Sequence, residues 1–266
     1  MESTLTLTRS KLRSQVGFFL GWGYGPDFGG SDWSDDQVVA IDDAVASGLR
    51  RFYFPEQPQG GFYDWSFLRP TTTQFFPADN NTIILPDDFG GVQGVVTVAT
   101  VGSGTGLVWW PLLTTNEAAI RLLFANFPNA TGRPTQVAVS PLKGTTINQG
   151  QRYQMLCYPT PDQEYQIQFQ YTILPDALTL NTPIPYGGAQ HAETILESCL
   201  AVAEERLDDQ KTTHADSFLR RLNASMAQDR RLKPQQMGYN QDSSDRVWSR
   251  YGDRVWNTVQ YQGNNL

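Results

Sequence analysis

The hydrophobic period of this chain changes twice, and that change restricts its folding options more than any other feature. Val38, Ile41, Val45, Leu49 and Phe52 recur at spacings of 3, 4, 4 and 3, a single stripe on a helix. Between about residues 60 and 185 the period drops to two. It is cleanest over 164–174, where Tyr165, Ile167, Phe169, Tyr171 and Ile173 alternate with Gln166, Gln168, Gln170 and Thr172. Near Gly188 helical spacing returns in Ala192, Leu196, Cys199, Ala203 and Leu207, and continues in Phe218, Leu222 and Met226. An amphipathic stripe has to be covered, and each terminal stripe is the nearest apolar surface available to the other. The expected fold class is therefore α+β. A helical bundle is formed by N- and C-terminal helices (residues 1–58 and 186–232), with an inserted antiparallel β-rich, sandwich-like domain (residues 59–185) and an extended C-terminal arm (residues 233–266).

Local signals place the elements. A first helix is expected over 6–20, carrying Leu12, Val16 and Phe19, with Thr6 or Thr8 as its cap. The glycine-rich stretch 21–30 ends it and holds Trp22, Tyr24 and Phe28, which either form a contact surface or fold back onto their own domain. Ser34 and Gln37 make a capping box, Asp35 and Asp36 suit the positive end of a helix dipole, and Pro55 and Pro58 end the second helix. Burying its five stripe residues contributes on the order of 8–12 kcal/mol before chain entropy is subtracted. Strands are expected at 63–68, 71–76, 82–85, 94–101, 135–140, 152–158 and 164–174. The fourth of these reads as an edge or bulged strand, and residues 86–91 form a turn cluster. A short helix over 115–125 should face inward with Ile120 and Leu123 or Phe124, and residues 129–134 should form a loop. The glutamines of 164–174 form either a solvated face or a subunit contact. Residues 211–214 form either a bend between helices or a polar turn of one long helix.

Composition narrows the function. The net charge of −7 argues against ordinary nucleic-acid affinity, which depends on neutralising phosphates. Cys157 and Cys199 stand outside any CxxC and read as two buried thiols. Residues 1–14 have no apolar core of a signal peptide, and no apolar run approaches membrane-spanning length, so neither a leader nor a membrane span is expected. His191 and His214 lie far apart in sequence, and His191, Glu193 and Glu197 lack a recognised metal-ligand spacing. Residues 102–106 are glycine-rich but lack the Lys-Ser/Thr of a phosphate loop. The pairs Asp35–Asp36 and Asp87–Asp88 sit beside cap and turn signals that account for them. No enzyme activity, cofactor or metal is expected.

The last segment departs from globular patterning. Asp245-Arg246-Val247-Trp248 recurs eight residues later as Asp253-Arg254-Val255-Trp256 in a glutamine- and asparagine-rich stretch. Tryptophan and arginine are the side chains that most often anchor protein interfaces. Arg246, Val247, Trp248, Tyr251, Arg254, Val255 and Trp256 are therefore the candidate interface residues. The arm either folds over its own domain or orders on a neighbouring subunit, where high effective concentration offsets the ordering cost.

Several short motifs together resemble the head-to-tail adaptor (connector) proteins of tailed bacteriophages. They are Leu12-Arg13 in the first helix, Trp33-Ser34-Asp35-Asp36 ahead of Ile41, and Arg50-Arg51-Phe52-Tyr53-Phe54-Pro55. Tyr63-Asp64-Trp65-Ser66-Phe67-Leu68, Leu85-Pro86-Asp87-Asp88-Phe89, Tyr158-Pro159-Thr160-Pro161-Asp162 and the run 178–203 complete the resemblance, which covers about residues 5–230. It implies a structural virion protein in the neck between capsid and tail, assembled in the host cytoplasm. Such a protein docks on the portal protein as a ring, commonly dodecameric, beside neighbouring adaptor copies, and extends the DNA channel towards a downstream neck or tail protein. Genomic DNA passes without sequence-specific binding, and no membrane is involved. The helices at both ends would build the ring, and the segment after Lys233 would reach into the portal. The chain departs from smaller members of the family by its β body of roughly 120 residues. Another neck or minor tail protein (stopper-like) and a soluble carbohydrate- or peptide-binding β module stay open as alternatives.

Overall fold

The computed structural model describes residues 3–57, 60–100, 108–143, 150–207 and 213–232. The chain divides into two units, Met1–Arg230 and Arg231–Leu266; almost all of the second lies outside the described residues. The first contains helices α1 (Arg9–Phe19), α2 (Asp35–Tyr53), α3 (Glu117–Asn126), α4 (Ala192–Leu207) and α5 (Thr213–Leu232, whose last two residues fall in the second unit). Its strands are β1 (Thr71–Phe76), β2 (Thr82–Ile84), β3 (Phe89–Thr100), β4 (Trp109–Pro111), β5 (Leu113–Thr115), β6 (Gln136–Leu142), β7 (Arg152–Tyr158) and β8 (Tyr165–Ile173). The class is α+β.

Helix starts follow the local chemistry. Thr8, not the buried Thr6, caps α1 by accepting the Lys11 amide at 3.4 Å. At α2 both halves of the capping box form: the Ser34 hydroxyl accepts the Gln37 amide, and the Gln37 side chain accepts the Ser34 amide at 3.0 Å. The Asn116 side chain accepts the Ala119 amide at 2.7 Å, so α3 begins two residues later than its apolar pattern suggests.

Side chains from α1, α2, α4 and α5 share one apolar core, which includes Leu12, Val16, Ile41, Leu49, Phe52, Ile195, Val202 and Leu222. In α2, Ile41, Val45, Leu49 and Phe52 are buried as their spacing predicts, while Val38 is only partly covered. Burial in α4 is wider than its stripe. Ile195 and Val202, off the expected line, are fully buried, whereas Leu196, on it, is only partly so. A helix covered on several faces loses the one-sided pattern that marks an amphipathic surface helix. The closest approach is between α2 and α4. A Cβ at Gly48 would lie 2.6 Å from the Cα of Cys199, so only hydrogen fits there. Ser198 donates its hydroxyl to the Gly48 carbonyl at 2.5 Å, closing the contact with a polar pair.

Residues 63–68 are not a strand. They run extended into a single 3₁₀ turn at Ser66–Leu68 and place Trp65, fully buried, against Phe52 and Phe67. The Trp65 indole donates to the Phe52 carbonyl at 3.0 Å. The alternation of Tyr63, Trp65 and Phe67 mimics a half-buried strand, but these rings enter the helical core, and among the described residues no strand pairs with them.

The strands form two four-stranded sheets around a second core. The first has the order β1-β8-β3-β4 and is antiparallel throughout. The second has the order β2-β7-β6-β5, and β5 runs parallel to β6, so it is mixed and not purely antiparallel as expected. A long connection through α3 separates β5 from β6, which lets two sequential strands align in parallel. β3 is bulged, with register shifts between Phe89 and Gly91 and between Gln93 and Thr97, but it lies inside its sheet and not at the edge. It also takes in Phe89, Gly90 and Gly91, which read as part of a turn. The short β4 and β5 carry too few residues for their period to register. In β8 the alternation is realised in full: Tyr165, Ile167, Phe169, Tyr171 and Ile173 are buried, and Gln168 and Gln170 are exposed.

Two substitutions test the helical core. Ile41→Asp should lower unfolding stability by more than about 4 kcal/mol, because it removes a buried side chain and leaves an unpaired charge. Gly48→Leu should cost at least about 1–3 kcal/mol through overpacking. Urea unfolding checks both, with Val39→Asp on the exposed face as a control expected to stay within about 0.5 kcal/mol.

Candidate interaction surfaces

Buried polar groups mark chemistry where chemistry exists. The Asp229 carboxylate on α5 is 1% exposed. It accepts the Tyr63 hydroxyl at 2.7 Å, the Ser66 amide at 3.2 Å and the Ser66 hydroxyl. The Arg230 guanidinium lies 5.4 Å from the centre of the Tyr63 ring. Burial and the adjacent Asp229 both hold the Tyr63 phenol well above its ordinary value. Asp229 thus fastens the aromatic segment before β1 to the end of α5. Glu204, also buried, accepts the Thr213 and His214 amides at 3.2 and 3.1 Å and so caps α5 from the end of α4. His214 lies 2.8 Å from Glu197. These acids hold helices in place.

His191 sits among Phe52, Trp65 and Phe67, with ring centres 5.8, 5.4 and 5.3 Å away. Desolvation pushes the imidazole below its ordinary value, and Asp229 pulls weakly the other way. Glu193 and Glu197 lie by Arg221, at 4.0 and 3.8 Å. Asp87 and Asp88 diverge to separate partners, Arg152 at 2.9 Å and the Tyr171 hydroxyl at 3.2 Å. Both cysteines are buried and free, and burial pushes their thiols up to about 12. Among the described residues no group of three or more His, Cys, Asp or Glu side chains gathers to hold a metal, and no helix is long and apolar enough to cross a membrane.

The outward surfaces are more distinctive. In the glycine-aromatic loop, Trp33 lies over Gly17 and Gly25, where an added Cβ would meet its ring at 2.6 and 2.4 Å. Trp33 and Trp22 pack against the helical core, and Phe18 stacks on Tyr24 at 4.5 Å. Phe28, on the 3₁₀ turn Pro26–Phe28, stays exposed. The tryptophans of the loop region therefore turn inward, and its tip faces out. At the other end of α2, Ser47, Arg50, Arg51, Phe54, Phe62 and Arg206 line a cavity of about 390 Å³. Sequence reading missed this site, because it joins residues from the end of α2, the following loop and α4. The candidate residues Arg246, Val247, Trp248, Tyr251, Arg254, Val255 and Trp256 lie outside the described residues, as do 102–106.

The family model described as SU10 adaptor protein matches residues 8–258, nearly the whole chain. The chain belongs to this family of bacteriophage adaptor proteins. The match runs through the aromatic loop, both cores and the tryptophan repeat of the arm. A search of curated proteins found no match.

The buried histidine makes stability depend on pH. Because its folded-state value is depressed, the unfolded chain binds the proton more readily, and stability present above about pH 6.5 is lost as pH falls. His191→Phe should flatten the change in melting temperature between pH 7.5 and 5.5. An equal change in both proteins would show that His191 is not its source.

Proposed function

We propose that this chain is a structural virion protein, a head-to-tail adaptor that docks as a ring onto the portal and extends the DNA channel towards the tail. The family match over residues 8–258 carries the reading. In it the helical segments 1–58 and 186–232 build the ring, the β-rich segment 59–185 is carried by them, and the arm 233–266 grips the portal. The partners are the portal protein, neighbouring copies and a downstream neck or tail protein, in the virion neck. No catalytic step, cofactor or membrane enters this role. The acidic balance suits a wall that DNA passes, since like charge discourages adhesion.

The arm is the part most open to test. Arg246, Trp248, Arg254 and Trp256 concentrate the side-chain types that dominate binding energy, with Val247, Tyr251 and Val255 between them. Deleting residues 234–266 should abolish binding to purified portal rings while leaving far-ultraviolet circular dichroism nearly unchanged. Trp248→Ala with Trp256→Ala should weaken binding by roughly tenfold or more. Full binding by the truncated chain would remove the arm from this role.

A further inference from the structure

The cavity at the C-terminal end of α2 has no place in the portal-gripping role of the arm, and its chemistry is specific. Arg51 is held by Glu205 at 2.5 Å, whereas Arg50 and Arg206 are exposed and have no ion pair among the described residues. Phe54 and Phe62 meet edge to face at 6.1 Å, and Phe62 is 62% exposed. Guanidinium groups beside exposed phenyl rings favour a peptide segment that carries carboxylates next to an aromatic side chain.

The loop at the opposite end of α2 is such a segment. Asp27, Phe28, Asp32 and Asp35 are all exposed, and Phe28 makes no ring contact among the described residues. A hydrogen bond from the Phe28 amide to the Gly25 carbonyl at 3.0 Å fixes the tip. So does the Gly30 amide, which donates to the same carbonyl at 3.2 Å, and a Cβ added at Gly30 would lie 1.4 Å from the Tyr24 carbonyl oxygen. Fifteen residues of helix separate Asp35 from Arg50, about 22 Å, so the two ends are too far apart to pair within one chain. The helix dipole accounts for acids at the start of α2 and arginines at its end. The α4 dipole accounts likewise for Arg206 in the last turn of that helix, but neither dipole accounts for Asp27 and Asp32, which lie outside both helices, or for the exposed rings at both places.

We propose that the Phe28 loop of one copy enters the Arg50–Arg206–Phe62 cavity of the next copy. The contact is heterologous, joining two different patches of the same chain, so it propagates from copy to copy and closes if the rotation permits. It rests on the reading of the chain as a ring-forming adaptor and identifies one of that ring's interfaces.

Oxidative cross-linking of the full chain carrying Phe28→Cys and Phe62→Cys tests it, since Cys157 and Cys199 are buried. At high protein concentration the double variant should give covalent dimers, trimers and larger species, while each single variant stops at dimers. A double variant that also stops at dimers overturns the contact. Charge reversal gives a second measure. Arg50→Glu with Arg206→Glu, and separately Asp27→Arg with Asp32→Arg, should each weaken self-association roughly tenfold or more, and an equimolar mixture should restore it. Unrestored association in the mixture counts against the pairing. A chain that binds portal rings but gives no ladder refutes this contact alone; a chain that ladders but never binds portal refutes the adaptor role alone.

Discussion

Everything in the helical core depends on α2 and α4 approaching until backbone meets backbone at Gly48 and Cys199. With no Cβ at Gly48, the Ser198 hydroxyl can reach the Gly48 carbonyl, and Cys199 packs where a larger side chain would push the helices apart. That separation sets the space available to Phe52, and through Phe52 the position of Trp65, Phe67 and His191. The aromatic cluster in turn orients residues 63–68, which Asp229 ties to α5. A single small residue thus governs contacts among four segments distant in sequence. Close-packed interiors transmit such a constraint because they leave little room to absorb it.

The parts of the fold legible in the sequence were those where one local rule acted alone. α2 has a complete capping box and an uninterrupted stripe, and its start lies where those signals put it. β1 and β7 have the expected bounds, and β8 shows the expected faces, since one side of each sheet looks into a shared core. Legibility failed where tertiary packing overrode pattern. Residues 63–68 alternate like a strand but bury their rings among helices. α4 is enclosed on several sides, so Ala192, Cys199 and Ala203 are buried on the stripe as expected, and Ile195 and Val202 are buried off it. The parallel pairing of β5 with β6 has no local signature, and a three-residue strand is too short to show a period.

For the candidate sites the limit is different. Adjacent acids, paired histidines and glycine clusters are visible in any sequence, but whether they converge is a tertiary property. Asp87 and Asp88 diverge, and buried Glu204 and Asp229 receive amide and hydroxyl donors that satisfy them as structural groups. The arginine-phenylalanine cavity shows the converse. Arg206 is remote in sequence from Arg50 and Phe62, and only the crossing of α2 and α4 brings them to one rim. The tryptophan repeat of the arm is conspicuous in sequence alone, as an eight-residue repetition in a polar stretch.

The helical core is assembled from the two ends of the chain, and this has a consequence for biosynthesis. α1 and α2 are complete by Tyr53 and Trp65 follows soon after, but the helices that close their core begin at Ala192. At bacterial elongation rates of about 5–20 residues per second, the ribosome takes on the order of ten seconds to make the stretch between them. Throughout that interval Ile41, Leu49 and Phe52 lack the cover that α4 and α5 supply. The β core, bounded by Phe76 and Ile173, can close first, so the nascent chain must keep its earliest apolar surface from aggregating until its last helices leave the exit tunnel.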